Sequence, residues 1–341
     1  MSGLEARGTK RGGRTMKRTL SVTVLALVVV VGLAGGALAA KAPGETHVAL
    51  VVKDLTNRFF VEMKWGGEAA GKQHGIKVTV LAPEKYAVDN QIRIMEDLIQ
   101  KKVDAIVIVP IDGAGIVSGI ERANKAKIPV FNLNTLATGG DVIGFAGIDH
   151  VQLGRIQGQW GVDTLKSKGN VVILEGTTGA SSAIERQEGV TEMLKKAPGI
   201  KVLASTTAKY NRQQAMKVME DLLTRFPEID MVLCANDAMA LGAKEAIKDA
   251  RRKMAVLGID AIPEALEAVQ KGEMAGTVDS NGFDQGFVAV DLTAKYLLKD
   301  QKPPKDTKVG SGAASVITKA NAADFEKAKA EKFKKFGIKV D

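Results

Sequence analysis

The sequence predicts an α/β protein made of two similar lobes, each a parallel sheet covered by helices on both sides. Three observations lead there. At 341 residues the chain is too long for one ordinary core and suits two. Short runs that are apolar on both faces alternate with amphipathic stretches of helical length, as buried parallel strands and their crossover helices do. The alternation also pauses after residue 134 and restarts near 170. Two successive sets of β/α units therefore replace one large sheet, and the strand ends of both can face a shared cleft.

The elements follow in order. "HVALVV" (47–52) is a continuous apolar strand, Phe59 to Gln73 is helical, and His74-Gly75 closes it. "IKVTVLA" (76–82) leads to a helix over 88–101, "VDAIVIV" (103–109) to one near 113–126, and "IPVFNL" (128–133) is the fourth strand. The second set opens with "NVVILEG" (170–176) and a helix over 181–196, then "KVLASTT" (201–207) and a helix over 211–225. "DMVLCA" (230–235), "MAVLGI" (254–259) and "MAGTVD" (274–279) follow, with helices over 236–250, 261–271 and 283–299. A Pro/Lys-rich turn, "KDQKPPKD" (299–306), precedes a charged amphipathic helix over 322–336.

Residues 17–40, "KRTLSVTVLALVVVVGLAGGALAA", read as a secretory signal. Lys17 and Arg18 form the positive start, Leu20 to Leu33 the apolar stretch, and Ala37-Leu38-Ala39 the small-x-small cleavage site. The apolar run approaches bilayer-spanning length, but its Gly/Ala-rich end favours cleavage over an anchor. Met16 begins a more typical signal, which makes 1–15 a candidate over-called start. Removing 1–39 lowers the net charge from +9 to +4, with basic residues scattered and not striped, so nucleic acid is not an expected partner. Cys234 is the single cysteine, and none follows the apolar run for acylation. A free protein in the periplasm, most simply a monomer, is the expectation. His47, His74 and His150 lack metal-ligand spacing and read as surface or loop residues, so neither metal nor cofactor is expected.

Enzymatic signatures are missing. The chain contains no G-x-x-x-x-G-K-[ST] and no G-x-S-x-G elbow before a helix. "EGTTGASS" (175–182) suits an anion at a helix start or simply a tight strand-to-helix turn. Polar and aromatic residues instead gather where strands stop: Asn57, Arg58, Phe59 and Phe60 after the first, and Asn132, Asn134 and Thr135 after the fourth. Arg186, Tyr210, Asn236, Asp237, Asp260 and Ser280 occupy corresponding places in the second set. Rings that cover an apolar C–H face, combined with amides, carboxylates and a guanidinium, suit a neutral hydroxyl-rich ligand.

From about 46 to 320 the chain resembles the type I periplasmic sugar-binding protein family, most closely its ribose-binding members. The resemblance rests on "NRFFVEMKWGGEAAGKQHG", "ANDAMALGA" and "VLGIDAIPEALEAVQKGEMAGTVD". It implies two Rossmann-like lobes joined by a three-stranded hinge: 40–148 with about 281–309, and 149–280 with about 310–341. It implies binding of a monosaccharide or polyol for a membrane permease of an ABC importer, with a chemoreceptor or sensor kinase as a further partner. The alternatives are a periplasmic ligand-binding sensor subunit for a receptor and a binder of a non-sugar small molecule. By motif position it implies that Asn57 donates to a hydroxyl and that Phe59, Phe60 and Tyr210 cover the ring. Arg186, Asn236 and Asp260 then hold it in the second lobe, while Asp237 caps its helix. The sequence departs from the ribose pattern at Asn134-Thr135, where the family has Asp-Arg, at Ser280 (or Asp279, with the register shifted by one), where it has Gln, and at Arg58, where Pro is common. Ribose itself is therefore not the expected ligand.

Overall fold

The first sheet has the order β11-β5-β4-β3-β1-β2, from β1 (His47–Val51), β2 (Lys77–Leu81), β3 (Ala105–Ile108), β4 (Val130–Leu133), β5 (Gly144–Gly147) and β11 (Asp306–Lys308). The second has the order β12-β10-β9-β8-β6-β7, from β6 (Lys168–Glu175), β7 (Gly199–Thr207), β8 (Met231–Cys234), β9 (Ala255–Ile259), β10 (Gly276–Val278) and β12 (Val316–Ile317). This is a computed structural model, and it describes residues 42–310 and 316–338. The expected signal and its cleavage site lie outside the described residues. Every strand pairing is parallel except β10 with β12.

The continuous apolar runs are explained by burial on both faces. In β1, Val48 and Leu50 join one core cluster, while Ala49 and Val51 point to another. In β6, Val172 and Leu174 oppose Val171 and Ile173 in the same way. Side chains alternate along a strand, so a strand covered twice has no polar side to show.

Helices α1 (Arg58–His74) and α9 (Gly282–Lys299) pack together on the first sheet, whose other face carries α2 (Val88–Gln100) and α3 (Val117–Lys125). On the second sheet α4 (His150–Thr164) packs against α5 (Ser181–Lys195), and α6 (Arg212–Arg225) against α7 (Asp237–Asp249), beside α8 (Pro263–Lys271). The chain crosses between sheets after β5, after β10 and between β11 and β12. The final helix, α10 (Ala322–Lys335), touches both lobes. Lys329 Nζ lies 2.9 Å from Glu62 Oε2 on α1 and donates to the Ala261 carbonyl at 2.8 Å, while Phe333 meets Trp65 edge-on.

Four elements escaped the sequence pattern: β5, α4, β11 and β12. β5 is "GFAG", without a β-branched residue, and α4 carries glycines at 154, 158 and 161 that depress helix propensity. Those glycines serve packing. A Cβ on Gly154 would stand 2.2 Å from the Arg186 carbonyl oxygen of α5, and one on Gly189 2.1 Å from that of Val151.

The histidine expectation is corrected. His150 is buried at the start of α4, because the chain turns inward as it crosses from β5. His47 is half-buried at the start of β1, where its Nε2 pairs with the Thr79 hydroxyl at 2.9 Å, and His74 pairs with Asp291 at 2.8 Å.

Candidate ligand-binding site

The strand ends converge on a cleft between the two sheets. Lys53, Asn57, Phe59, Phe60 and Asn134 line it from the first lobe, and Ser182, Arg186, Tyr210, Asn236 and Asp260 from the second. The space amounts to about 290 Å³, counting the part open to solvent.

Asn57 and Asn236 occupy their positions because each begins a helix. Asn57 Oδ1 accepts from the Phe59 amide at 3.0 Å and Asn236 Oδ1 from the Met239 amide at 3.0 Å, which satisfies two first-turn donors. Capping occupies one lone pair of each carbonyl oxygen and leaves amide N–H groups to offer a ligand, although Asn236 Nδ2 already donates to the Tyr210 carbonyl at 3.4 Å. The division of labour expected within "AND" is thereby corrected: Asn236 is both cap and cleft residue. Asp237 is fully buried and accepts instead from the Ile262 amide at 3.0 Å and the Thr277 hydroxyl at 2.7 Å. Burial, with Asp260 nearby, pushes its carboxyl up to about 8.

The aromatic walls are Phe59 and Phe60, edge to face with centroids 5.1 Å apart, and Tyr210 opposite. The Tyr210 ring lies so close to Gly176 that a Cβ there would meet it at 2.2 Å. Its hydroxyl sits 3.2 Å from Ser182 Oγ. Asn134, Tyr210 and Asp260 hold positive φ values of 61°, 58° and 128°, as do several loop residues away from the cleft, Lys102 and Arg251 among them.

Arg186 and Asp260 form the charged floor. Arg186 is 4% exposed, and its Nη2 lies 3.6 Å from Asp260 Oδ1. Its Nε donates to His150 Nδ1 at 3.2 Å, and Nη1 donates to the Ala235 carbonyl. Asp260 Oδ1 also accepts from Ser280 at 2.8 Å. Burial raises the Asp260 carboxyl to about 6, against the opposing pull of Arg186. Lys53, 2% exposed, is driven down to about 7 by burial and by Arg186, with its Nζ 5.6 Å from the Tyr210 ring centroid.

Eight of the ten expected residues thus meet in the cleft. Thr135 and Ser280 stand one layer behind. Thr135 Oγ1 faces Ser182 Oγ at 3.4 Å, and Ser280 is held by Asp260. Serine is too short to reach past that carboxylate, which corrects its expected place in the wall. Arg58 is not part of the cleft lining; its guanidinium carbon stacks 4.3 Å from the Trp65 ring centroid. Two wall residues were missed. A lysine ending an apolar run was the signal for Lys53, and Ser182 lay inside the "EGTTGASS" loop.

That loop does something else as well. Gly179 O accepts from Gly113 N at 3.0 Å, Ser181 Oγ from Leu136 N at 2.9 Å, and Thr177 Oγ1 pairs with the Tyr86 hydroxyl at 2.9 Å. Each bond joins the second lobe to the first, so the structure shows the lobes closed. Gly179 has φ 85°, and a Cβ there would sit 1.8 Å from Asp112 Oδ2; glycine is what permits the contact. Among the described residues no group of three His, Cys, Asp or Glu is arranged to hold a metal, and no helix is long and apolar enough to cross a membrane.

Residues 48–301 match the family described as Periplasmic binding protein domain. The chain is 35% identical over 271 residues to the D-allose-binding periplasmic protein of Escherichia coli (strain K12), covering 76% of this chain and 87% of that one. It is 33% identical over 280 residues to the xylitol-binding protein of Mycolicibacterium smegmatis, covering 79% and 80%. Among solved structures, an ABC transporter periplasmic solute-binding protein from Actinobacillus succinogenes 130z with bound D-allose superposes with a TM-score of 0.75 at 30% identity, covering 82% and 100%.

Proposed function

From the premise that the chain belongs to the periplasmic binding protein family, we propose that it binds one monosaccharide or polyol between its lobes and delivers it to the permease of an ABC importer. The observation that carries this reading is the composition of the cleft wall. Two phenyl rings face a tyrosine, and between them stand a guanidinium, a carboxylate and two helix-capping amides. Rings cover the C–H faces of a pyranose or polyol, and the planar groups fix its hydroxyls. The relatives named for D-allose and xylitol are consistent with a ligand of this class.

In this reading Arg186 donates to ring oxygens and Asp260 accepts from a hydroxyl. The capping amides of Asn57 and Asn236 donate, and Phe59, Phe60 and Tyr210 form the platform. Lys53 adds a donor at the end of β1. Asn134 replaces a carboxylate with an amide and so selects among ligands more than it strengthens any. Thr135 and Ser280 act from behind, through Ser182 and Asp260. In this reading the ligand is bound and released unchanged. The proposed route is export through the signal at 17–39, followed by action in the periplasm.

The direct test is calorimetric titration with D-allose and xylitol of the wild-type protein, Arg186→Ala and Asp260→Ala. Hydrogen bonds to charged groups contribute roughly 1.5–3 kcal/mol each. Each variant is therefore expected to bind on the order of tenfold to a hundredfold more weakly. Folded variants with unchanged affinity would place the ligand elsewhere.

A further inference from the structure

Behind the cleft wall runs a buried circuit of five hydrogen bonds and one ion pair. Arg186 Nε donates to His150 Nδ1 at 3.2 Å, and His150 Nε2 donates to the Asn134 carbonyl at 2.8 Å. Asn134 Nδ2 donates to Gln285 Oε1 at 2.9 Å, and Gln285 Nε2 to the Ser280 carbonyl at 2.6 Å. Ser280 Oγ donates to Asp260 Oδ1 at 2.8 Å, which lies 3.6 Å from Arg186 Nη2. The circuit closes on itself. All six residues are 4% exposed or less, and His150 and Gln285 are 1% and 0%.

Its route matters more than its size. Arg186, Asp260 and His150 belong to elements of the second sheet, Asn134 and Gln285 to elements of the first. His150 follows the first crossing directly, and Ser280 lies in the second, next to Asn281 with its φ of 53°. The loop that carries Asn134 also carries Leu136, whose amide bonds Ser181 at the head of α5 only because the lobes are together. The His150–Asn134 bond, like the Leu136–Ser181 bond, joins an element of the second sheet to one of the first. The histidine is suited to the link because a neutral imidazole accepts at one nitrogen and donates at the other. Here the acceptor faces a guanidinium and the donor a carbonyl. Protonation would turn the acceptor into a second donor against Arg186, and burial together with Arg186, Lys53 and Lys308 holds the ring well below the ordinary histidine range.

We infer that His150 and Gln285 are positioning residues, touching no ligand themselves, that tie Asn134 of one lobe to Arg186 and Asp260 of the other and so stabilise the closed conformation. The inference rests on the cleft reading for its significance, but its test needs no ligand. Exposed Glu84 and Ile184, one on each lobe, are replaced by cysteine and spin-labelled in the intact ligand-free protein; native Cys234 is buried. Pulsed electron resonance then reads the closed-to-open ratio.

The wild-type protein is expected to show a measurable closed population. His150→Asn keeps an acceptor near the Nδ1 position but cannot reach the Asn134 carbonyl, and Gln285→Met removes both amide links. Each should lower the ratio about fivefold, the effect of one ordinary hydrogen bond. The pair together should lower it little further, since breaking a ring twice removes no second ring. His150→Gln, whose amide nitrogen reaches the Nε2 position, should stay within about twofold of the wild type. A circuit that only holds the fold together would change melting temperature and leave this rescue pattern absent. If His150→Asn does not fold, Gln285→Met carries the same comparison. An undetectable closed population in the wild type, or an unchanged ratio in the variants, overturns the inference. Failure of the sugar-binding reading would show separately, in the titrations.

Discussion

Asp260 illustrates how one buried residue couples acid–base chemistry to binding. Its carboxyl is raised to about 6 by burial, with Arg186, Ser280 and Lys329 favouring the ionised form and Asp279 opposing it. As an anion it accepts a hydroxyl with the strength of a charge-assisted bond; once protonated, only a neutral bond remains. Affinity should therefore fall by about tenfold as pH drops through 6, a difference of about 1.4 kcal/mol. Asp260→Asn should bind more weakly and lose that dependence. Titrations from pH 5 to 8 on both proteins check it. The sign for folding is opposite. A carboxyl whose folded pKa is raised stabilises the native state at low pH, and that contribution is lost as pH rises through its folded value. Asp260 and Asp237, raised to about 6 and about 8, should thus make the ligand-free protein less stable at pH 8 than at pH 5, as read by urea unfolding. Lys53, held down to about 7, opposes this only between pH 7 and 8, and neutral His150 opposes it at the acid end, where the unfolded chain holds protons that the folded groups do not.

At the scale of elements, the contact between α4 and α5 offers a case where propensity and packing disagree. Replacing glycine by alanine inside a helix gains up to about 1 kcal/mol of intrinsic preference. At Gly189, however, the new Cβ would meet the Val151 carbonyl oxygen at 2.1 Å, a backbone atom with nowhere to yield. Overpacking of this kind costs about 1–3 kcal/mol, so packing should win. Gly189→Ala is expected to lower stability by about 1–2 kcal/mol in denaturant titration; a stabilised variant would contradict the close approach. The same glycines explain what could be read from the sequence. Strands such as "HVALVV" and "DMVLCA" are legible because burial on both faces leaves an uninterrupted apolar run. β5 and α4 are not, because close packing demands small residues and small residues erase the periodic signal. β11 and β12, of three and two residues, are too short to carry a pattern. In the cleft, the aromatics and the strand-end amides were legible as residue types stranded where apolar runs stop. Lys53 carries only a weak signal, because a lysine after a strand ordinarily keeps its charged head in water. His150 and Gln285 were hidden because their partners are 16 and 151 residues from each other's link at Asn134.

Across the whole molecule, closure brings Gly113 to Gly179, Leu136 to Ser181 and Tyr86 to Thr177 around the cleft mouth. A ligand that bridges Asn57 and the phenylalanines of one lobe to Arg186 and Asp260 of the other has full contact only in that state, and so it shifts the balance toward it. The proposed destination of the protein is tested separately. The residues around Ala37-Leu38-Ala39 favour cleavage that leaves Ala40 first, and the intact mass of protein from a periplasmic extract should correspond to residues 40–341. A mass that retains 17–39 would contradict export by cleavage.

The account as a whole depends on the cleft holding a hydroxyl-rich ring against Arg186 and Asp260. The most direct measurement is thermal unfolding of the wild-type protein and Asp260→Ala across a panel of monosaccharides and polyols, D-allose and xylitol among them. A ligand at a hundred times its Kd adds about 2.7 kcal/mol to the folded state. At least one member of the panel is expected to raise the wild-type midpoint by several degrees and to raise that of Asp260→Ala far less at the same concentration. A panel that leaves the wild type unmoved, or that shifts both proteins equally, would contradict the account.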